Sequence, residues 1–182
     1  MKNELKEVSI RIKLVEGGMF GNVLIETPED AILAMRNLLC DLDREYVMVL
    51  NLNNQGMPIN YNLVSIGSIK SSVVPISNVF KSAILANASS VLVMHNHPSG
   101  MVEPSREDNI VTERMIDAGA LMEIPVLDHI IVGNNANDFF SYRKWKSEMF
   151  TETDEENKRW KTLISMSNHK EKQEGKKYVR TR

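Results

Sequence analysis

Apolar and polar positions alternate or cluster in a way that predicts several short strands. Residues 8–15 (Val-Ser-Ile-Arg-Ile-Lys-Leu-Val) alternate between apolar and polar, as a half-buried strand does. Residues 45–51 are mostly apolar and partly β-branched, which favours a buried strand. The segment Asn-Asn-Gln-Gly at 53–56 is typical of a hairpin turn, so residues 57–66 are expected to form the return strand.

Helix signals separate these strands from the later ones. Thr27 followed by Pro28 and two acidic residues predicts a helix that begins there and runs to about Leu42. Apolar spacing and capping residues predict two more helices, at 75–88 and 105–122, and the charged segment 145–164 is also expected to be helical. The remaining apolar runs predict strands at 91–94, 125–132 and 139–142. Strands that alternate with helices, interrupted by a hairpin, predict an α/β (mixed α+β) fold with helices packed on a mixed sheet.

Composition restricts the class of protein. A chain of 182 residues with 42% apolar and 25% charged residues fits one globular domain. No apolar run approaches the roughly 20 residues that span a bilayer, and the polar N-terminus lacks a signal-peptide pattern. The single cysteine, Cys40, lies among leucines and is expected to be a core residue. We therefore expect a cytoplasmic protein without membrane association.

Charge is unevenly distributed although the net charge is only −2. Residues 167–182 contain six Lys/Arg against Glu171 and Glu174, so the end of the chain is basic and the rest acidic. A basic tail could contact nucleic-acid phosphates. The alternative is a solvated, disordered terminus, which is the commoner role of such a segment.

The candidate chemistry lies in the segment from His95 to Asp108. Alternate side chains of an extended backbone point the same way, so His95 and His97 can face one metal ion. The ten intervening residues can return the chain so that Asp108, in the first turn of a helix, supplies a third ligand. Three protein ligands with a fourth position left for water are typical of a catalytic zinc site. Two alternatives remain: loop histidines without a metal, and a capping box in which Asp108 only closes a helix against Ser105.

The motif resembles that of a known family. His95-x-His97, ten residues and Asp108, with Ser105 three positions before it, resemble the JAMM signature of the MPN/JAB superfamily of zinc metallopeptidases. The resemblance is closer to the bacterial RadC-like branch and covers roughly residues 26–144. It rests on the strings His-Asn-His-Pro-Ser-Gly at 95–100 and Leu-Asp-His-Ile-Ile at 127–131, and on Arg44-Glu45-Tyr46, Gly67, Pro75, Phe80, Pro104 and Thr112.

The resemblance implies a fold, a cofactor and roles for individual residues. It implies an MPN/JAB-like, cytidine-deaminase-like mixed sheet flanked by helices, and Zn²⁺ held by His95, His97 and Asp108. It also implies that Glu45 is the general base and that Ser105 stabilises the tetrahedral intermediate, in the hydrolysis of a peptide or isopeptide amide. From the residues alone, Glu45 could equally be a surface charge at the start of a strand. Glu103 and Glu107 are closer in sequence to the ligands but lie on less rigid segments.

Asp128 and His129 are a further polar pair on an apolar strand. Their side chains should point to opposite faces, and we expect a structural or supporting role, with one of them facing solvent. His169, in the tail, is expected to have no role.

Longer RadC-like proteins carry an N-terminal helix-hairpin-helix element that binds DNA. Here residues 1–26 are expected to form a strand and a glycine loop instead, followed by a RadC-like JAB/MPN domain at 27–145, a helix at 146–166 and the basic tail. The alternative functions are a protein of DNA repair or a mobile element that acts with nucleic acid, and a non-catalytic scaffold. The sequence leaves the substrate and the oligomeric state open.

Overall fold

The computed structural model describes residues 23–40, 42–67, 74–135 and 137–150. The expected N-terminal strand at 8–15 and the basic tail at 167–182 lie outside these residues, as does most of the expected C-terminal helix. Within the described residues no helix is long and apolar enough to cross a membrane.

Five strands form one mixed sheet, and helices lie on both of its faces. In chain order the elements are α1 (Pro28–Leu39), β1 (Tyr46–Leu52), β2 (Pro58–Ile66), α2 (Ile76–Leu85), β3 (Ser90–Asn96), α3 (Arg106–Leu121), β4 (Val126–Val132), β5 (Phe139–Ser141), α4 (Tyr142–Trp145) and a 3-10 helix (Ser147–Met149). The strand order is β2-β1-β3-β4-β5. β3 and β4 are parallel and the other neighbours are antiparallel. The expected mixed α/β architecture is confirmed.

The core has two main layers because the central strands are buried on both faces. On one face, Met48 and Leu50 of β1 and Leu92 of β3 pack with Met35 and Leu39 of α1. On the other face, alternate residues of the same strands pack against α2 and α3 (Val47, Val49, Val91, Val93, Phe80, Val111 and Met115). The period-two alternation of a strand therefore decides which face each residue supplies.

The helix starts follow the sequence more closely than the helix ends. Thr27 Oγ1 accepts a hydrogen bond from Asp30 N–H at 3.2 Å, and Asp30 Oδ2 accepts one from Thr27 N–H at 2.8 Å, so the expected cap of α1 is formed. α1 then ends at Leu39 rather than near Leu42. The expected helix from Trp145 onward is not continuous in the described residues, because α4 ends at Trp145 and the short 3-10 helix follows.

Candidate metal centre

The first part of the site is the point where β3 ends beside the start of β1. Val47 of β1 pairs with His95 of β3, so the two strands run antiparallel up to this edge. His95 follows Val91 and Val93 at alternate positions, and its fully buried side chain therefore faces the α2–α3 layer. Strand register thus directs the first candidate ligand towards helix α3.

His97 lies just beyond the strand and is oriented by its own loop. Its backbone N–H donates to Val132 O at 2.9 Å, which ties it to the end of β4. Its ring Nδ1 lies 2.6 Å from the carbonyl oxygen of Met101. A carbonyl can only accept, so Nδ1 carries the proton and Nε2 turns towards Asp108.

Asp108 reaches the site from the first turn of α3. Ser105 is the N-cap: its Oγ accepts from Asp108 N–H at 3.1 Å, and Asp108 Oδ2 accepts from Ser105 N–H at 2.7 Å and from Ser105 Oγ–H at 2.6 Å. The capping box expected as an alternative to metal binding is therefore formed. It occupies only Oδ2, so the two interpretations of Asp108 do not compete.

The three candidate ligands converge. His95 Nε2 lies 3.0 Å from His97 Nε2 and 3.4 Å from Asp108 Oδ1, and His97 Nε2 lies 3.6 Å from Asp108 Oδ2. Ligand atoms about 2.0–2.2 Å from a tetrahedral zinc ion are separated by roughly 3.3–3.5 Å. The distance from His95 Nε2 to Asp108 Oδ1 matches that spacing, and the distance between the two histidine Nε2 atoms is slightly shorter. One ligand atom from each residue can be chosen so that all lie within 4.8 Å of one another, and the three residues could hold a metal ion.

Asp108 Oδ1 gives an independent test of that fit. This oxygen is buried and has no hydrogen-bond partner among the described residues. A buried carboxylate oxygen without a donor is costly unless a cation completes its environment. The donor set, two imidazole nitrogens and one carboxylate oxygen, is one that zinc accepts. The residues present therefore fit a metal ion.

The electrostatics of the three groups favour binding a cation. Burial lowers the pKa of His95 well below its ordinary value, and the neighbouring His129 lowers it further, so His95 is neutral at physiological pH. Burial alone would raise the pKa of Asp108, but the interactions with His97, His95 and Ser105 hold that pKa well below its ordinary value. Burial alone would lower the pKa of His97, but Asp108 and the Met101 carbonyl raise it. The site thus combines a permanent carboxylate with a neutral imidazole.

Glu45 is placed at the same edge of the sheet. It immediately precedes β1 and is half-buried. It lies two residues before Val47, so its side chain is expected on the same face of the sheet as those of Val47 and His95. Its charge contributes to the raised pKa of His97, which puts the two groups in electrostatic reach. Glu103 and Glu107 are exposed.

Asp128 and His129 are both buried, so the expectation that one of them faces solvent is wrong. Asp128 pairs in register with Leu92, and it accepts hydrogen bonds from Ser141 Oγ–H at 2.5 Å and from Arg143 N–H at 2.8 Å. His129 points to the opposite face, where its Nε2 lies 2.8 Å from His95 Nδ1. The short elements that follow β4 cover Asp128, and sequence patterns alone do not reveal that cover.

Two residues at the site were not assigned a role from the sequence. Thr112 Oγ1 lies 2.6 Å from His129 Nδ1, and the Asn96 side chain bonds to the backbone beside Glu45. The available signals are positional: Asn96 lies between the two candidate ligand histidines, and Thr112 lies one helical turn after Asp108. His169 lies outside the described residues.

The comparison with protein families agrees with this geometry. The family model described as "RadC-like JAB domain" matches residues 25–148. The chain belongs to this family. RadC-like proteins are a branch of the JAB/MPN superfamily, so the resemblance found in the sequence is confirmed.

Two curated relatives of this RadC-like protein share the family name UPF0758. A "UPF0758 protein" of Rubrobacter xylanophilus is 44% identical over 124 residues, which cover 68% of this chain and 53% of the relative. A "UPF0758 protein" of Desulforamulus reducens is 46% identical over 113 residues, covering 62% and 50%. The chain spans about half the length of these curated relatives.

Proposed function

We propose that this RadC-like protein is a zinc-dependent hydrolase of the JAMM type that cleaves a peptide or isopeptide amide. The observation that carries the proposal is the convergence of His95 Nε2 and the buried, unpaired Asp108 Oδ1 at 3.4 Å, with His97 Nε2 beside them. A buried three-ligand set within a JAB domain supports hydrolysis more strongly than it identifies a substrate. The amide substrate is inferred from the superfamily resemblance.

The three ligands would hold zinc through two imidazole nitrogens and one carboxylate oxygen. When bound at such a three-ligand site, zinc acts as a Lewis acid and lowers the pKa of a water molecule in its open position to about 7. Asp108 Oδ2 keeps its bonds to Ser105, which leaves Oδ1 as the ligand atom. The capping box therefore holds the carboxylate in place as well as closing the helix.

Glu45 is the proposed general base. Its carboxylate takes a proton from the attacking water and delivers it to the leaving nitrogen of the amide. Its position at the first residue before a central strand gives it a more rigid backbone than Glu103 or Glu107, which are exposed on the loop and helix that follow.

Ser105 is the proposed donor to the tetrahedral oxyanion, and the structure adds a condition to this role. Its hydroxyl proton is directed at Asp108 Oδ2 at 2.6 Å. Because a serine hydroxyl carries one proton, Ser105 must rotate away from Asp108 to donate to an oxyanion. The capping bond that it accepts from Asp108 N–H can remain during that rotation.

The experiment combines metal analysis with turnover. Purified wild-type protein and the Glu45→Gln variant should each contain about one zinc per chain by elemental analysis, because Glu45 is not a ligand. Fluorogenic peptides and lysine-branched isopeptides are then screened for cleavage. Glu45→Gln should lower turnover by about 10²- to 10⁴-fold, the usual contribution of a general base, and leave a measurable residual rate. The matched Glu103→Gln and Glu107→Gln variants should retain full turnover.

Three results decide the proposal. Folded wild-type protein that takes up no metal after zinc is added back contradicts the metal centre. Zinc uptake without cleavage of any amide contradicts the peptidase activity and favours a non-catalytic scaffold. Turnover that is undiminished in Glu45→Gln but is lost in Glu107→Gln contradicts the assignment of the base.

Action on nucleic acid is the alternative function, and we retain it as a proposal that rests on the basic residues 167–182. Phosphate contacts by lysine and arginine give affinity that falls steeply with salt. Deletion of residues 167–182 should therefore abolish salt-dependent DNA binding. Unchanged binding after the deletion, or no binding by the intact protein, contradicts this function.

A further inference from the structure

The ring of His95 is held from behind by a chain of buried groups. Its Nδ1 lies 2.8 Å from His129 Nε2, and His129 Nδ1 lies 2.6 Å from Thr112 Oγ1. Thr112 Oγ1 in turn lies 2.6 Å from the backbone carbonyl oxygen of Asp108. All four residues are buried. The chain therefore begins at the ring of one candidate metal ligand and ends at the backbone of another.

A carbonyl oxygen at one end of this chain determines where every proton lies. The Asp108 carbonyl can only accept, so the Thr112 hydroxyl proton points to it. Thr112 Oγ1 then offers a lone pair to His129, and His129 Nδ1 must be the donor. A neutral imidazole carries one N–H, so His129 Nε2 accepts and His95 Nδ1 donates.

The assignment of protons along these hydrogen bonds also determines which His95 nitrogen can bind a metal ion. With its proton on Nδ1, His95 has a lone pair on Nε2, the atom that lies 3.4 Å from Asp108 Oδ1. The opposite arrangement needs a doubly protonated His129, and no carboxylate among the described residues is hydrogen-bonded to that buried ring. The Thr112 hydroxyl thus links the Asp108 carbonyl to His129 and, through His129, selects the tautomer of both histidines.

We propose that Thr112 and His129 are positioning residues that lock His95 in the tautomer required for metal binding. The proposal rests on the proposed function in one respect, because it takes His95 Nε2 as a metal ligand. Neither residue reaches the three ligand atoms themselves. Both act through the His95 ring, by the general rule that partners of the second ring nitrogen orient a ligand histidine and raise its basicity.

The Thr112→Val substitution removes one hydroxyl and keeps the shape of the side chain. His129 Nδ1–H then loses its acceptor inside the core. The ring can relieve this by moving its proton to Nε2, which forces His95 to accept on Nδ1 and to carry its own proton on Nε2. That tautomer has no lone pair for a metal. Zinc affinity should therefore fall by about 10- to 100-fold, the usual range for loss of such a partner.

The first measurement is the zinc dissociation constant, obtained by competition with a chromophoric chelator. Thr112→Val should show the loss, and Thr112→Ser should bind zinc nearly as tightly as wild type because it restores the hydroxyl. Thermal unfolding of the metal-free proteins checks that all three fold. Equal zinc affinity in Thr112→Val and wild type overturns the proposal, as does equal weakening in the Val and Ser variants.

The second measurement needs no metal. Long-range ¹H–¹⁵N spectra of the histidine rings in metal-free protein report which nitrogen carries the proton. In wild type, His95 and His129 should both be protonated on Nδ1, and Thr112→Val should move the His95 proton to Nε2. Wild-type His95 and His129 rings protonated on Nε2 would contradict the proposed chain of hydrogen bonds. A wild-type protein with the expected tautomers that takes up no zinc supports the chain and overturns the proposed function instead.

Discussion

The side-chain amide of Asn96 holds the main chain on both sides of Glu45. Asn96 Oδ1 accepts from the backbone N–H of Tyr46 at 2.8 Å, and Asn96 Nδ2 donates to the backbone carbonyl of Arg44 at 3.0 Å. The backbone pairing of β1 and β3 ends at Val47 and His95, one residue before it would reach Tyr46 and Asn96. The amide therefore extends the strand pairing where the backbone no longer does.

A third bond holds Glu45 from the other side. Its carbonyl oxygen accepts from Gly67 N–H at 2.8 Å, directly after β2. Gly67 has a φ of +126°, a backbone conformation that residues other than glycine rarely adopt. The backbone of the candidate base is thus hydrogen-bonded to the strands on both sides of β1. On one side the bonds come from the residue between the two candidate ligand histidines.

We expect the Asn96→Ala variant to lose turnover while it keeps its metal. The backbone around Glu45 would lose two hydrogen bonds. A displacement of the base by about 1 Å can lower the rate on the order of 100-fold. His95 and His97 keep their own ring partners, so zinc affinity should change little. The comparison of kcat with the zinc dissociation constant checks this, and Asn62→Ala, at an exposed position of β2, is the matched control.

A double-mutant cycle separates positioning of Glu45 from general damage. If Asn96 acts through Glu45, Asn96→Ala should cause no further loss of turnover in a Glu45→Gln background. Additive losses in the two backgrounds would show that Asn96 supports the fold rather than the base.

Local signals predicted most elements and the three candidate ligands, because each candidate lies within a few residues of the signal that places it. Thr27-Pro28 marks the start of α1, and Ser105 caps the helix that carries Asp108. Strand alternation predicted that His95 and His97 face one point, and the structure brings them together, although His97 lies just beyond β3 and is oriented by its own loop.

Long-range pairing explains what the sequence could not reveal. Asn96 meets residues about 50 positions earlier, and Thr112 meets His129 across 17 positions, so neither role follows from spacing along one element. Asp128 is hydrogen-bonded to Ser141 and Arg143, which the pairing of β5 with β4 brings beside it. The segment 145–164 carries a helical pattern, but only residues 145–150 of it are described, and there the short 3-10 helix follows α4.

The two oxygens of Asp108 can be tested separately. Asp108→Asn can keep an oxygen towards Ser105 and present its NH₂ group to the metal position, so zinc binding should be lost while the helix cap survives. Ser105→Ala should do the reverse. It removes the acceptor for Asp108 N–H and should lower the free energy of unfolding of the metal-free protein by about 1 kcal/mol, with a much smaller loss of zinc affinity.

Elemental analysis and chemical denaturation of the two variants, each in the metal-free and zinc-loaded state, measure both effects. Equal loss of zinc in Asp108→Asn and Ser105→Ala would show that the cap and the ligand are one inseparable function.

Asp128 should be among the most important polar residues for stability. Its carboxyl oxygens accept from Ser141 Oγ–H, Arg143 N–H and its neighbour His129 N–H, all buried. Asp128→Ala leaves these donors without their acceptor beside the buried Arg143 side chain, at a cost of about 3–5 kcal/mol. Urea denaturation measures this, with the exposed Asp117→Ala of α3 as control. A loss below about 1 kcal/mol would contradict the structural role.

The same carboxyl should also make stability depend on pH. Burial raises the pKa of Asp128 from 3.8 to about 7, although Ser141, the backbone N–H groups and Arg143 oppose the shift. The folded protein therefore binds this proton more tightly than the unfolded chain does. The resulting stabilisation is complete below the unfolded value of 3.8 and is lost as the pH rises through about 7.

Comparison with Asp128→Asn isolates this contribution, because asparagine does not titrate while its side-chain oxygen can still accept from the two backbone donors. Urea denaturation of both metal-free proteins between pH 4 and 8 gives the difference in free energy of unfolding between wild type and variant. This difference should show wild type losing stability relative to the variant as the pH rises. The slope can reach about 1.4 kcal/mol per pH unit. A flat difference, or one that rises with pH, would mean that the donors around Asp128 outweigh its burial and that the folded protein holds it as a carboxylate throughout this range.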